Sequence, residues 1–129
     1  MARPLRVEFP GALYHVTARG NERRAVFRDD DDRRLFLATL GQAHEQYGLR
    51  LHAFCLMPNH YHLLAETPRA NLSRAIGWLQ TTYTIRFNRR HRRNGHLFQG
   101  GRGGRGQLLI LDTQREDGVV GRWGRDLTS

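Results

Sequence analysis

The chain contains no lysine. All 21 basic residues are arginine, set against 12 acids, so the net charge is +9 and the pI is near 11.3. The missing lysine reads as a mark of the gene's base composition. The arginine surplus makes polyanions the first candidate partners. Cysteine is nearly absent. Cys55 stands alone, which excludes an internal disulfide and a Cys-based zinc site and suits a reducing, cytoplasmic location. It lies in an apolar run and is expected to pack in the core. Long apolar runs are also lacking. The longest, 51–57 (broken by His52) and 108–111, fall far short of the ~18–20 residues of a membrane span. The start of the chain has no apolar region of the kind a secretory signal needs. No membrane partner is expected. The length, 129 residues, suits one domain with its own core.

Residues 12–19 alternate and are rich in β-formers, which predicts a first strand ending at the turn pair Gly20-Asn21. Phe36, Leu40, Ala43 and Tyr47 recur at helical spacing behind the acids 29–32, which suit a helix start. The helix is expected over about 31–47, stopped by Gly48. Strands are expected over 49–57 and 60–66, joined by Pro58-Asn59 and therefore antiparallel. Leu72, Ile76, Leu79, Tyr83 and Phe87 mark a second helix ending near residue 88. With a fourth strand, for which 107–113 is the candidate, this order is a ferredoxin-like split βαβ sandwich, an α+β fold. Both helices then cover one face of an antiparallel sheet and leave the other open. After Gly100 the chain turns Gly/Arg-rich, with 7 glycines in its last 29 residues. Two parts are expected: a folded 1–100, and a divergent, partly disordered 101–129 that leaves the sheet incomplete or altered at its C-terminal end.

The sharpest local feature is His60-Tyr61-His62 on the third strand. Side chains alternate along a strand, so both histidines share one face and Tyr61 points into the packing side. Two imidazoles so placed can hold a divalent metal or a phosphate. Glu66 shares their face but lies further along, a distant third ligand at best. Such a pair alone is a weak signal; its surroundings strengthen it. Arg86, Arg89, Arg90, His91, Arg92 and Arg93 follow one another with no acid among them, more cations than helix capping needs. Arginine forks suit phosphates, so the run is expected to bind a nucleic-acid backbone. Arg19, Asn21, Arg23 and Arg24 extend a basic rim past the first strand. His15 and Thr17 approach the histidine pair if the first strand lies beside the third. Tyr83, Phe87 and Phe98 read as core, not as stacking platforms. Residues 1–100 carry 16 Arg and 8 acids, and 69–100 carry 7 Arg and no acid. The surplus therefore belongs to the second helix and its exit, not to the tail.

Three segments together resemble one family: Tyr14-His15-Val16-Thr17-Ala18-Arg19-Gly20-Asn21, then Met57-Pro58-Asn59-His60-Tyr61-His62-Leu63-Leu64, then Asn88-Arg89-Arg90-His91 with Gly95-His96-Leu97-Phe98-Gln99-Gly100. Over about residues 5–100 the chain resembles the single-tyrosine HUH transposases, in particular the REP-associated tyrosine transposases of bacteria. The resemblance implies a ferredoxin-like fold and metal-dependent cleavage and rejoining of single-stranded DNA with hairpins. It implies Mg2+ or Mn2+ on His60, His62 and one further polar side chain. It also implies a tyrosine from a later helix that attacks phosphorus, leaving a 5′-phosphotyrosine and a free 3′-hydroxyl. Here the chain departs from the pattern. After residue 100 it continues Gly101-Arg102-Gly103-Gly104-Arg105-Gly106, and no tyrosine follows Tyr83. Tyr83 is the sole internal substitute for the nucleophile, on the face that helical spacing buries. The third ligand is expected to be lost with the nucleophile, through a frameshift or rearrangement near residue 100. The expected function is a transposase-family protein, impaired in cleavage, that binds hairpin-bearing single-stranded DNA. The alternatives are a catalytically silent single-stranded nucleic-acid binder and an RNA-directed protein using histidines as acid and base.

Overall fold

Strand β1, Leu13–Arg19, alternates half-buried Leu13, His15 and Thr17 with buried Tyr14, Val16 and Ala18. One side of the sheet is therefore core and the other is not. The computed structural model describes residues 10–99 and, for residues 107–111, the backbone. Beyond β1 a short 3-10 turn, Asn21–Arg23, folds back on Gly20 so tightly that a Cβ there would sit 2.1 Å from the Arg24 carbonyl oxygen. Helix α1, Asp30–Tyr47, starts where the Asp29 side chain accepts the Asp32 backbone N–H at 2.9 Å. It stops at Gly48, whose φ of 77° is the left-handed cap glycine adopts without strain. Strands β2, Arg50–Met57, and β3, His60–Glu66, form the expected antiparallel hairpin.

Helix α2, Leu72–His91, runs past its expected end near residue 88. Its last turn is held by packing and charge. The Phe87 and His91 rings lie 4.4 Å apart, and Arg90 and His91 both bind acids at the start of α1. Arg86, Arg89 and Arg90 are thus helical, and Arg92 is the cap, at φ 55°. Strand β4, Gln107–Leu111, pairs antiparallel with β1. The sheet order is β2-β3-β1-β4, the order of a ferredoxin-like sandwich. Of the expected divergent, partly disordered part, 101–129, residues 101–106 and 112–129 lie outside the described residues.

The core joins Tyr14, Val16 and Ala18 of β1 and Tyr61, Leu63 and Ala65 of β3 to Phe36, Leu40 and Ala43 of α1 and Ile76, Leu79, Tyr83 and Phe87 of α2. Both helices cover the same face. Cys55 corrects an expectation. It is half-buried, opposite His62 on the face away from the helices, while Phe54 and Leu56 are buried. An apolar run in a sheet with one open face buries only part of its length. Among the described residues no helix is long and apolar enough to cross a membrane.

The two helices are tied by charge as well. Asp32 is fully buried and accepts hydrogen bonds from the Arg28 backbone, Arg90 and His91. Arg90 also bridges to Asp29 at 2.9 and 3.0 Å. That guanidinium, helped by the Asp32 amide, holds the Asp29 carboxyl at about 2, against an ordinary value of 3.8. A depressed carboxyl stabilises the fold above its unfolded pKa and loses that effect as pH falls through its folded value. The urea midpoint should therefore drop between about pH 4 and about pH 2, and Arg90→Gln should make that drop shallower. Equal slopes in the two proteins would contradict the assignment.

Candidate metal and nucleic-acid site

Strand β3 lies between β1 and β2, so its open-face side chains are flanked on both sides. Thr17, His62 and Cys55 form one row across the sheet; Arg19, His60 and Met57 form the next. The His60 and His62 rings sit 5.1 Å apart, nearly perpendicular. His60 Nδ1 lies 2.8 Å from Asn59 Oδ1. His62 Nδ1 lies 3.1 Å from His15 Nε2, with the two rings stacked at 5.2 Å. His15 does approach the pair, as its place on β1 suggested. Partial burial lowers the pKa of both His15 and His62, and for His62 the neighbouring His15 and His60 lower it further. Both are thereby biased toward the neutral imidazole, the form a metal binds.

Glu66 is committed elsewhere. At the other end of β3 it accepts from His52 at 2.9 Å and faces Arg50 at 3.8 Å. Among the described residues no group of three or more His, Cys, Asp or Glu is arranged to hold a metal.

A basic cluster borders the His60 end of the sheet. The loop after β1 is pinned to the β2–β3 turn by Gly20 N–H to the Asn59 carbonyl and by Val26 N–H to the Pro58 carbonyl, each 2.8 Å. The exit of α2 is pinned to the same loop, with Asn21 N–H on the Leu97 carbonyl and Gln99 N–H on the Arg19 carbonyl. These bonds bring Arg24, Arg28 and Arg93 near one another. Arg93 has a lowered pKa, first from desolvation and then from the charges of Arg24 and Arg28. Arg28 and Arg93 both lie against the Phe87 ring, at 5.3 and 5.7 Å from its centroid.

The basic residues singled out from sequence divide into two groups. Arg19, Arg23, Arg24, Arg89 and Arg92 are exposed, and Asn21 and Arg93 are half-buried. Arg90 is spent on Asp29 and Asp32, and Arg86 donates to Thr39 Oγ1 at 3.0 Å. These two join α1 to α2. Arg28 was missed because it precedes the acidic run and reads as part of a helix start.

Residues 9–102 match the family described as "Transposase IS200 like". The chain belongs to the IS200-like transposase family. A solved structure of a REP-associated tyrosine transposase bound to a REP hairpin is similar to it, with a TM-score of 0.70 at 13% identity over 87% of this chain. This chain spans 63% of the length of that one. At such identity the likeness shows the fold. No curated protein matches the chain.

An IS200-like transposase of the single-tyrosine kind needs a metal and a tyrosine. His60 and His62 fit as two nitrogen ligands side by side on the sheet face away from the helices. The sequence has four tyrosines, and none joins the histidines. Tyr14, Tyr61 and Tyr83 are buried in the core, and Tyr47 packs against Trp78. The Tyr61 hydroxyl meets Gln80, and Tyr83 donates to the Val26 carbonyl at 2.6 Å. Burial pushes the pKa of the Tyr83 hydroxyl up, and the Asp32 charge pushes it further, the reverse of what a nucleophile needs. Tyr83 is therefore a structural residue on the helix side of the sheet. Tyr83→Phe should cost about 1 kcal/mol of stability through the lost hydrogen bond and leave DNA binding unchanged. Unchanged stability with lost DNA binding would contradict this placement.

Proposed function

We propose that this chain binds hairpin-bearing single-stranded DNA across its open sheet face, with His60 and His62 as ligands of Mg2+ or Mn2+ at a backbone phosphate. The observation that carries the reading is the hydrogen bonding of the Arg-bearing loop after β1 to the β2–β3 turn, at the end of the sheet where His60 and His62 stand. Exposed Arg19, Arg23, Arg89 and Arg92 extend the contact along the backbone. Family membership and the likeness to a transposase that holds a REP hairpin support the choice of DNA.

When bound, the metal would polarise a phosphoryl oxygen and orient the scissile bond. The protein's own part is to hold that ion through two imidazoles and to clamp neighbouring phosphates through guanidinium forks. Cleavage by the family's route requires a tyrosine oxygen in line with phosphorus. The four tyrosines of this sequence are all placed elsewhere, so the chain binds without cutting. The family match ends at residue 102, where the Gly/Arg-rich composition begins. That boundary supports replacement of the segment that carries the nucleophile and the third ligand.

Fluorescence anisotropy with a labelled hairpin DNA tests the reading. The logarithm of the affinity should fall linearly with log salt, with a slope of ~0.7–0.9 for each phosphate contact. Replacing Arg24, Arg28 and Arg93 together by Ala should reduce that slope by about 2. Arg90→Ala should leave the slope intact and lower the Tm. With Mn2+ present, a denaturing gel should reveal no covalent protein–DNA adduct. An adduct would overturn binding without cutting, and no binding at low salt would overturn the proposal entirely.

A further inference from the structure

Among the described residues, three that are not glycine have a left-handed backbone: Glu22, Arg23 and Arg92, at φ 57°, 60° and 55°. A side chain strains that conformation, which persists only where the surroundings impose it. All three lie in two neighbouring loops. One is the turn after β1, and the other, residues 92–96, follows α2. Backbone contacts join them. Asn21 N–H donates to the Leu97 carbonyl at 2.8 Å, and Gly20 pairs with Phe98 in an isolated bridge.

The second loop is also fastened from within. Arg93 N–H donates to the Asn88 carbonyl at 2.9 Å, and Asn88 Nδ2 donates to the Gly95 carbonyl at 3.0 Å. The Arg93 guanidinium donates to Asn88 Oδ1 and to the His96 carbonyl. Gly95, at φ 93°, makes the turn, and buried Leu97 and Phe98 anchor the far end. The backbone is closed on itself. The side chains of Arg92, Asn94 and His96 are exposed, and none is hydrogen-bonded or ion-paired among the described residues.

Two of these three suit bases better than phosphates. The Asn94 amide offers a donor and an acceptor side by side, which matches a base edge. The His96 ring can bond a base edge or stack on a base face. Unpaired nucleotides expose both. A loop already fixed presents such groups with little ordering cost on binding. We infer that Asn94 and His96 are specificity-determining residues that read unpaired bases beside a DNA hairpin, while Arg23 and Arg92 hold the adjoining phosphates. This rests on the DNA-binding reading above and adds a sequence preference to it.

The test selects ligands for the full chain from a hairpin DNA library with randomised unpaired flanks, then measures the selected sequences by anisotropy. The wild-type protein should enrich defined bases at one or more unpaired positions. Asn94→Ala and His96→Ala should each reduce discrimination at such a position by about 5-fold or more, with Tm unchanged. Arg92→Gln should keep the preference and reduce the salt slope by about 1, which separates phosphate contact from base reading. Wild-type binding with no base preference would overturn the inference. So would an unchanged preference in the Asn94→Ala, His96→Ala double variant. Failure of the wild-type protein to bind any member of the library would instead overturn the DNA-binding reading itself.

Discussion

Leu13–Arg19 and His60–Glu66 pair residue for residue, from Leu13 opposite Glu66 to Arg19 opposite His60. Every property of the site follows from that register. It sets Thr17 and His15 beside His62, and it delivers the chain after Arg19 to the end of the sheet where His60 stands. A slip by one residue would exchange the faces of a strand, burying the two histidines and exposing Tyr61. The core forbids the slip. Tyr61 is fully buried, with its ring 4.9 Å from Phe36 and 5.7 Å from Phe98. The aromatic that separates the two histidines thus anchors them, and packing on one face of the sheet determines the chemistry available on the other.

The arginine surplus serves two purposes. Part of it is internal. Arg90 and His91 at the end of α2 meet Asp29 and Asp32 at the start of α1, so opposite charges sit at helix ends that favour each. Asp32 is buried, and removing one partner would leave an uncompensated charge. Another part, Arg19, Arg23, Arg89 and Arg92, is exposed at the loop after β1 and the exit of α2. There it lies close to the histidines because backbone hydrogen bonds from residues 97–99 stitch the two segments together. A single net charge conceals this division between cations that fasten the fold and cations left for a polyanion.

The architecture was legible in the sequence wherever one period governed it. Alternation in 12–19 and 60–66 and the four-three spacing of Phe36, Leu40, Ala43 and Tyr47 each reported a face, and the faces determined the layers. His60, His62 and the approach of His15 were readable for the same reason. Cys55 was misplaced because β2 has a register shift between Leu51 and Ala53, which hides its alternation behind a continuous apolar run. The pairing of Arg90 with Asp29 and Asp32 was not legible, since its partners lie some sixty residues away and a charge run looks the same whether solvated or paired. Arg28 was hidden because its role comes from tertiary contact with Arg93 and Phe87. The contacts of His60 with Asn59 and of His62 with His15 depend on ring orientations that no residue pattern encodes.

The account stands or falls on where a divalent ion settles. Mn2+ broadens nearby proton resonances, and the seven histidines give well-spread reporters of its position. On substoichiometric Mn2+ in the presence of hairpin DNA, the imidazole C–H signals of His60, His62 and His15 should broaden first, while those of His44, His91 and His96 stay sharp. Broadening centred on His52 beside Glu66, or on His91 beside Asp32, would place the ion at a carboxylate–histidine pair elsewhere in the fold and contradict the site described above.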